Sequence, residues 1–431
     1  MADSAMAIIK EPLISPFGFK GAYLSELWQA VVGLYDEEGR AGIGVGVQSV
    51  LWSDPDVFVH CGEKTGNEKM AELTQYALRL AAGTEFASPV ELIDRLFPQV
   101  LAYGREHIAG SGLRSTFALN ALVAVDQAAW GLYSRGKQCS FKELIPAAYR
   151  DVLKEKQHAL ASIPLVPYGM DEKGLVQLLT EGCCLLKIKV GADPDGDGDR
   201  AKMVAWDKER LAQVHRIASR YTTPYTADGK IAYYLDANGR YDTKDRLLQL
   251  LDYADKIGAL AHIVLFEEPF AEEDRSDVSD LPVRLAADES VHDECDARAR
   301  MELGYGAFAL KPVAKTMSMS LKIAKLAQDS HIPCFCADLT ANPFLADWNK
   351  ALAAHLPLLP GMKIGVIETN GHQNYRDWDK MKHMHPLAGA AWIDADSGVY
   401  RLDDRFYATT GGALHIGTEY EQHLKKGNEQ S

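Results

Sequence analysis

The sequence predicts an α/β fold in which a (β/α) barrel follows a separate α+β module. Three observations carry that expectation. Eight short apolar runs recur after about residue 163, with longer amphipathic stretches between them. The first 155 residues instead read as strands followed by a cluster of helices. Polar residues of a narrow set close five successive runs.

In the first module, the apolar stretch 27–35 and the glycine-alternating stretch 41–47 flank a Glu-Glu-Gly turn, which reads as strand–turn–strand. The glycines of 41–47 do not make a dinucleotide loop, because no GxGxxG opens a helix there. Residues 68–83, 89–104 and 115–136 have the apolar spacing of helices. The barrel runs are 165–168, 184–190, 231–236, 263–268, 283–288, 308–313, 333–338 and 363–368. Eight βα units within a few hundred residues suit a closed barrel. Residues 243–257 and 322–330 are clear intervening helices. The expected division is 1–155 for the module, 160–388 for the barrel and 389–431 for a segment packing back on the module.

Bulk properties narrow the function. The 431 residues are 47% hydrophobic and 25% charged, as in an ordinary globular chain. A net charge of −14 excludes sequence-independent nucleic-acid binding, which needs a basic footprint. No apolar run reaches membrane-span length, and no basic n-region opens the chain. Seven cysteines without a CxxC read as reduced thiols. A cytoplasmic protein without membrane partner is the expectation. Asp193, Asp195, Asp197 and Gly198 match the first half of a calcium loop, but the position for its bidentate glutamate is Val204. A solvated acidic turn is the default there.

Chemistry concentrates at the strand ends, where a barrel places its active site. The second run carries Lys187 and Lys189, two apart and so on one face. The third ends Asp236-Ala-Asn238, the fourth Glu267-Glu-Pro, the fifth Asp288-Glu289-Ser and the sixth Lys311-Pro. In barrel order this is lysine, acid, acid, acid, lysine. Three converging carboxylates repel one another unless a cation sits between them. Oxygen-only ligands favour Mg²⁺, or Mn²⁺, over zinc. A substrate carboxylate on that cation has its developing enolate charge stabilised, so the neighbouring carbon can lose a proton. Lys189 beside Lys187 and the cation tends towards its neutral, basic form. Lys311 faces the other side of the same carbon, and two bases on opposite faces suit racemisation or epimerisation.

Lys187-Ile-Lys189, Asp236-Ala-Asn238, Glu267-Glu-Pro269, Ala287-Asp-Glu-Ser290 and Lys311 together resemble the enolase superfamily, in its muconate-lactonizing and dipeptide-epimerase branch. The resemblance implies a modified (β/α)7β barrel with an N-terminal capping domain. It implies Asp236, Glu267 and Asp288 as Mg²⁺ ligands and Lys189 and Lys311 as the acid/base pair. Lys187 would help bind the substrate carboxylate, with Asn238 and Glu289 behind the ligands. Lid loops would come from residues 17–23, including Phe19, and from residues 52–54, including Trp52. The sequence departs from the branch at the eighth strand, where Glu368-Thr-Asn370 replaces the Asp-x-Asp that holds a dipeptide's ammonium group. Asp338 and Asn342 after the seventh strand are unusual too, and Asp338 joins Glu368 and Asn370 as a candidate for substrate specificity.

The expected function is Mg²⁺-dependent proton abstraction beside the carboxylate of a small molecule, by a racemase or epimerase. Its rival is an acid-sugar or hydroxy-acid dehydratase using the same site. A Schiff-base enzyme built on Lys189 or Lys311 leaves the three acids unexplained. A non-catalytic binding barrel is the remaining class. A homo-oligomer is expected only by analogy with the architecture.

Overall fold

The computed structural model describes residues 1–19, 22–108, 110, 112–137, 139–415 and 417–428. Asp3–Phe19 (β1), Ala22–Tyr35 (β2) and Ala41–Gln48 (β3) form an antiparallel sheet in that order. The sequence reading has no strand before residue 23, so β1 is an addition. Its apolar residues are interrupted by Lys10, Glu11 and Pro12, and alternation does not mark it. Pairing runs from Asp3↔Tyr35 to Pro12↔Glu26 and then shifts register before Phe17. The glycines of β3 serve packing. A Cβ on Gly42 or Gly44 would lie 2.0 Å or 2.1 Å from the carbonyl oxygens of Ala128 and Ala124. Glycine there lets the helix Ser115–Ser134 lie directly on the sheet. Helices Pro55–Ala81, interrupted at Gly62, and Pro89–Tyr103 complete the module.

The barrel begins with one strand in two pieces. Ala159–Ile163 (β4) and Leu165–Val166 (β5) flank Pro164, which has no N–H for the ladder. The sequence reading found only the second piece. Parallel strands follow at Leu185–Lys189 (β6), Ala232–Asp236 (β7), Ile263–Glu267 (β8), Leu285–Ala287 (β9), Ala307–Leu310 (β10), Cys334–Cys336 (β11) and Gly365–Glu368 (β12). β5 pairs with β6 and β4 pairs with β12, so the eight-membered ring closes through the broken strand. Val399–Arg401 (β13) adds to β4 antiparallel.

One expected helix is missing. Residues 268–284, between β8 and β9, are described throughout and hold no α-helix. Asp274 and Asp277 accept the backbone N–H groups of Ser276 and Ser279 at 2.8 Å and 2.9 Å. Such local turns compete with helix formation, and Pro269 and Pro282 bound the segment.

The C-terminal segment divides between the two layers. β13 belongs to the barrel sheet, whereas the last helix, Thr418–Asn428, lies against β1 and β2. A buried charged cluster fixes the segment between. Asp347 pairs with Lys350 at 2.8 Å and accepts Trp392 Nε1 at 2.8 Å, with His385 Nε2 at 3.2 Å. Lys350 also donates to the Trp392 carbonyl at 2.7 Å.

All seven cysteines are free thiols. Among the described residues, no helix is long and apolar enough to cross a membrane.

Candidate active site

Register brings the polar strand ends together. Lys189 lies opposite Asp236, and Asp236 opposite Glu267, across the parallel ladder from β6 to β8. Asp288 follows β9 and Lys311 follows β10 directly. β6 and β10 are four steps apart in a ring of eight, so the two lysines stand across the barrel mouth from each other. Their side chains, the acids between them, Glu368, Asp338, Asn370 and Trp52 line one cavity.

Lys187 holds the acidic wall together. Its Nζ lies 3.1 Å from Asp236, 3.3 Å from Glu267 and 3.1 Å from Glu368. Tyr234 puts its ring face 4.8 Å from the same ammonium group. Burial opposes the charge on Lys187, but these three carboxylates hold its pKa well above the usual lysine range. Lys187 is therefore a fixed cation, suited to binding and not to taking a proton. Lys189 donates to Asp236 at 2.6 Å and to the Asn238 side-chain oxygen. Asn238 in turn donates to Glu289 at 2.9 Å. Lys311 is hydrogen-bonded to Asp288, and the Trp52 ring covers it at 4.4 Å.

Three of the acids crowd together on the ends of β8 and β9. Glu267, Asp288 and Glu289 offer oxygens within 4.8 Å of one another, and all three residues are buried. Burial pushes the Glu267 carboxyl well up, and Asp288 and Glu289 add to that against the pull of Lys187. Carboxylates arranged so closely need positive charge, and oxygen-only donors fit Mg²⁺. Asp236, the third ligand implied by the sequence, differs. Burial works to raise its carboxyl, yet Lys187 and Lys189 outweigh it and hold it well below the usual range. The tightest acid triad thus includes Glu289 where the sequence reading had Asp236. Lys187 and Lys189, two residues apart on β6, hold Asp236 in ion pairs. Burial likewise opposes charge on Lys311, but Asp288, Glu289 and Glu267 hold it protonated.

The remaining expected residues are placed as follows. Glu368 accepts the Asp338 backbone N–H at 3.2 Å as well as Lys187. Asp338 accepts Leu339, Ala341 and Asn370 backbone N–H groups at 2.7, 2.9 and 2.7 Å. Burial and the nearby Glu368 push the Asp338 carboxyl up to about 6. Asn342 caps the helix Pro343–Ala353 through Leu345 N at 2.8 Å. Trp52 is not in a loose loop. It lies buried in the short helix Val50–Ser53, which Asp54 follows as the N-cap of the next helix. The side chain of Phe19, with Lys20 and Gly21 of the same candidate lid, lies outside the described residues. The acidic stretch after β6 satisfies itself. Lys202 pairs with Asp195 at 3.2 Å and with Asp197, while Asp199 caps the helix Arg200–Ala218.

Sequence reasoning missed two buried charges around Asp288. Glu268 accepts the N–H groups of Asp288 and Ser290 at 2.8 Å and 3.1 Å. Lys315 is hydrogen-bonded to the Asp288 carbonyl and donates to the Val291 carbonyl at 2.9 Å. The spacing Lys311-x-x-x-Lys315 was the available signal, since i and i+4 share a helix face. The apolar wall of Leu24, Leu27, Leu51, Leu165 and Leu339 was also unforeseen, because it joins distant segments.

Solved structures share this architecture. A mandelate racemase/muconate lactonizing protein from Herpetosiphon aurantiacus superposes with a TM-score of 0.64 at 19% identity, covering 94% of this chain and 96% of that one. A dipeptide epimerase from Enterococcus faecalis, complexed with Mg and the dipeptide L-Leu-L-Tyr, gives 0.64 at 17% identity, covering 93% and 97%. An N-succinyl Arg/Lys racemase from Bacillus cereus gives 0.63 at 17% identity, covering 98% and 96%. No curated protein matches the sequence. The profile described as "Enolase C-terminal domain-like" matches residues 172–398, more than half of the chain. With the barrel, the module over its mouth and the lysine–acid ring, that match makes the chain a member of the enolase superfamily.

Proposed function

We propose that this protein is a Mg²⁺-dependent racemase or epimerase acting on a carbon acid whose proton lies next to a carboxylate. The observation that carries the reading is the opposition of Lys189 and Lys311 across the barrel mouth, with the acids on the strands between them. Asp236, Glu267 and Asp288, ending successive strands, are the residues assigned to hold the ion, with Glu289 beside them. A bound divalent cation supplies positive charge against the substrate carboxylate and against the charge that develops as the proton leaves. Lys187, a fixed ammonium group, adds to that charge from the floor of the cavity. With Asp288 and Glu267 engaged by such an ion, the pull that keeps Lys311 protonated would weaken and either lysine could serve as base, while Glu368 would still pair with Lys187. One lysine then takes the proton from one face of the carbon, and its opposite returns a proton to the other face. The leucine wall, with Trp52 above Lys311, keeps water from the exchange.

The rest of the substrate meets Asp338, Thr340, Asn370 and the leucines. Trp52 Nε1 and Asn370 Oδ1 are buried without hydrogen-bond partners among the described residues. A substrate acceptor for the first and donor for the second would satisfy both, as a buried polar group requires. Glu368 is already paired with Lys187 and is a poor partner for a substrate ammonium group. The test is a screen of N-acyl amino acids, dipeptides and acid sugars in D₂O with Mg²⁺, followed by proton NMR. Deuterium at the α-carbon with inversion is the expected result. A keto acid product would move the assignment to dehydration, and no exchange with any carboxylate class would overturn it.

A further inference from the structure

We infer that Lys315 is a positioning residue for the metal-binding acids. It acts as an internal ammonium clamp on the turn that presents Asp288 and Glu289. This rests on the proposed metal site. Lys315 is 2% exposed and reaches back from the short helix Pro312–Lys315, which starts just after Lys311. Its main acceptors are backbone oxygens. It bonds the Asp288 carbonyl and donates to the Val291 carbonyl at 2.9 Å, while the nearest Asp288 carboxylate oxygen is 3.5 Å away. Glu268 grips the opposite polarity of the same turn, through the N–H groups of Asp288 and Ser290 and the Ser290 hydroxyl. Donors and acceptors of residues 288–291 are thus both tied to buried charges. The Trp52 ring, 5.8 Å from Lys315, closes the remaining side.

Two effects of this ammonium group on cation binding oppose each other. Its charge repels a divalent ion, so deleting charge alone would tighten binding. Its grip on the turn fixes where Asp288 and Glu289 point, so loosening it weakens binding. The backbone contacts are closer than the carboxylate contact, and the geometry therefore assigns the larger effect to positioning.

Calorimetric titration of the metal-stripped full-length protein with MgCl₂ separates them. Lys315→Met should weaken Mg²⁺ binding by about 10- to 100-fold, as loss of partners behind metal ligands commonly does. Lys315→Arg, which keeps charge and donors, should recover part of it and covers the case in which Lys315→Met does not fold. Unchanged or tighter binding in a folded Lys315→Met, or a Lys315→Arg no better than Met, would overturn the clamp. Absence of Mg²⁺ binding by the wild type would instead overturn the metal site, and the clamp with it.

Discussion

Two buried charge clusters in this protein lie on opposite sides of a functional divide. Around Asp347, one carboxylate meets Lys350, the Trp392 indole and His385, and Lys350 has a carbonyl besides. Charge is balanced, and the cluster ties the C-terminal segment to the helix Pro343–Ala353. At the barrel mouth, Asp236, Glu267, Asp288, Glu289 and Glu368 lie among Lys187, Lys189, Lys311 and Lys315. Acids outnumber lysines there, and burial, with Asp288 and Glu289 adding to it, raises the Glu267 carboxyl well above its usual range. A balanced buried cluster is self-sufficient, whereas surplus anions favour an added positive charge, the one proposed above being a divalent cation.

Substitutions sharpen that contrast. The largest effect on turnover is expected from Glu267→Gln, which removes an acid from the surplus. It should lower kcat/KM on the order of 10³-fold or more, as loss of preorganised electrostatics does, while circular dichroism and Tm stay close to wild type. Lys311→Ala should abolish inversion while Lys189 still washes deuterium into one enantiomer, a split that NMR in D₂O reads directly. Retained inversion would show that the two lysines do not divide the faces. In the balanced cluster the expectation reverses. Asp347→Asn should leave kcat nearly unchanged but cost about 3–5 kcal/mol in urea unfolding, because it strands Lys350. The smallest effect belongs to Trp52→Phe, which keeps an aromatic face for Lys311 but is smaller and lacks the indole N–H. A rise in KM of roughly 10-fold at constant kcat is expected, the worth of one buried hydrogen bond.

The two clusters also differ in how far the sequence exposed them. The barrel mouth was legible because strand period and strand order are local: Lys187 and Lys189 had to share a face, and each acid ended an apolar run. The Asp347 cluster was not, since it joins residues 347, 350, 385 and 392 through loops whose path no periodicity encodes. The Lys311-x-x-x-Lys315 spacing hinted at Lys315, but only the path of the chain puts it beside the Asp288 and Val291 carbonyls. Pro164 hid the first piece of the opening barrel strand by splitting it, and residues 268–284 lost their expected helix to aspartate turns. Asp236 stands apart from the other acids because Lys187 and Lys189 hold its carboxyl low against burial, a balance of charge that spacing alone does not resolve.

The claim that surplus buried acid marks a cation site is tested most directly by equilibrium dialysis of the purified protein against Mg²⁺, with metal analysis of the retained fraction. One ion per chain in the wild type, lost in Glu267→Gln and kept in Asp347→Asn, is the predicted result. No retained ion, or retention undiminished in Glu267→Gln, would contradict the account.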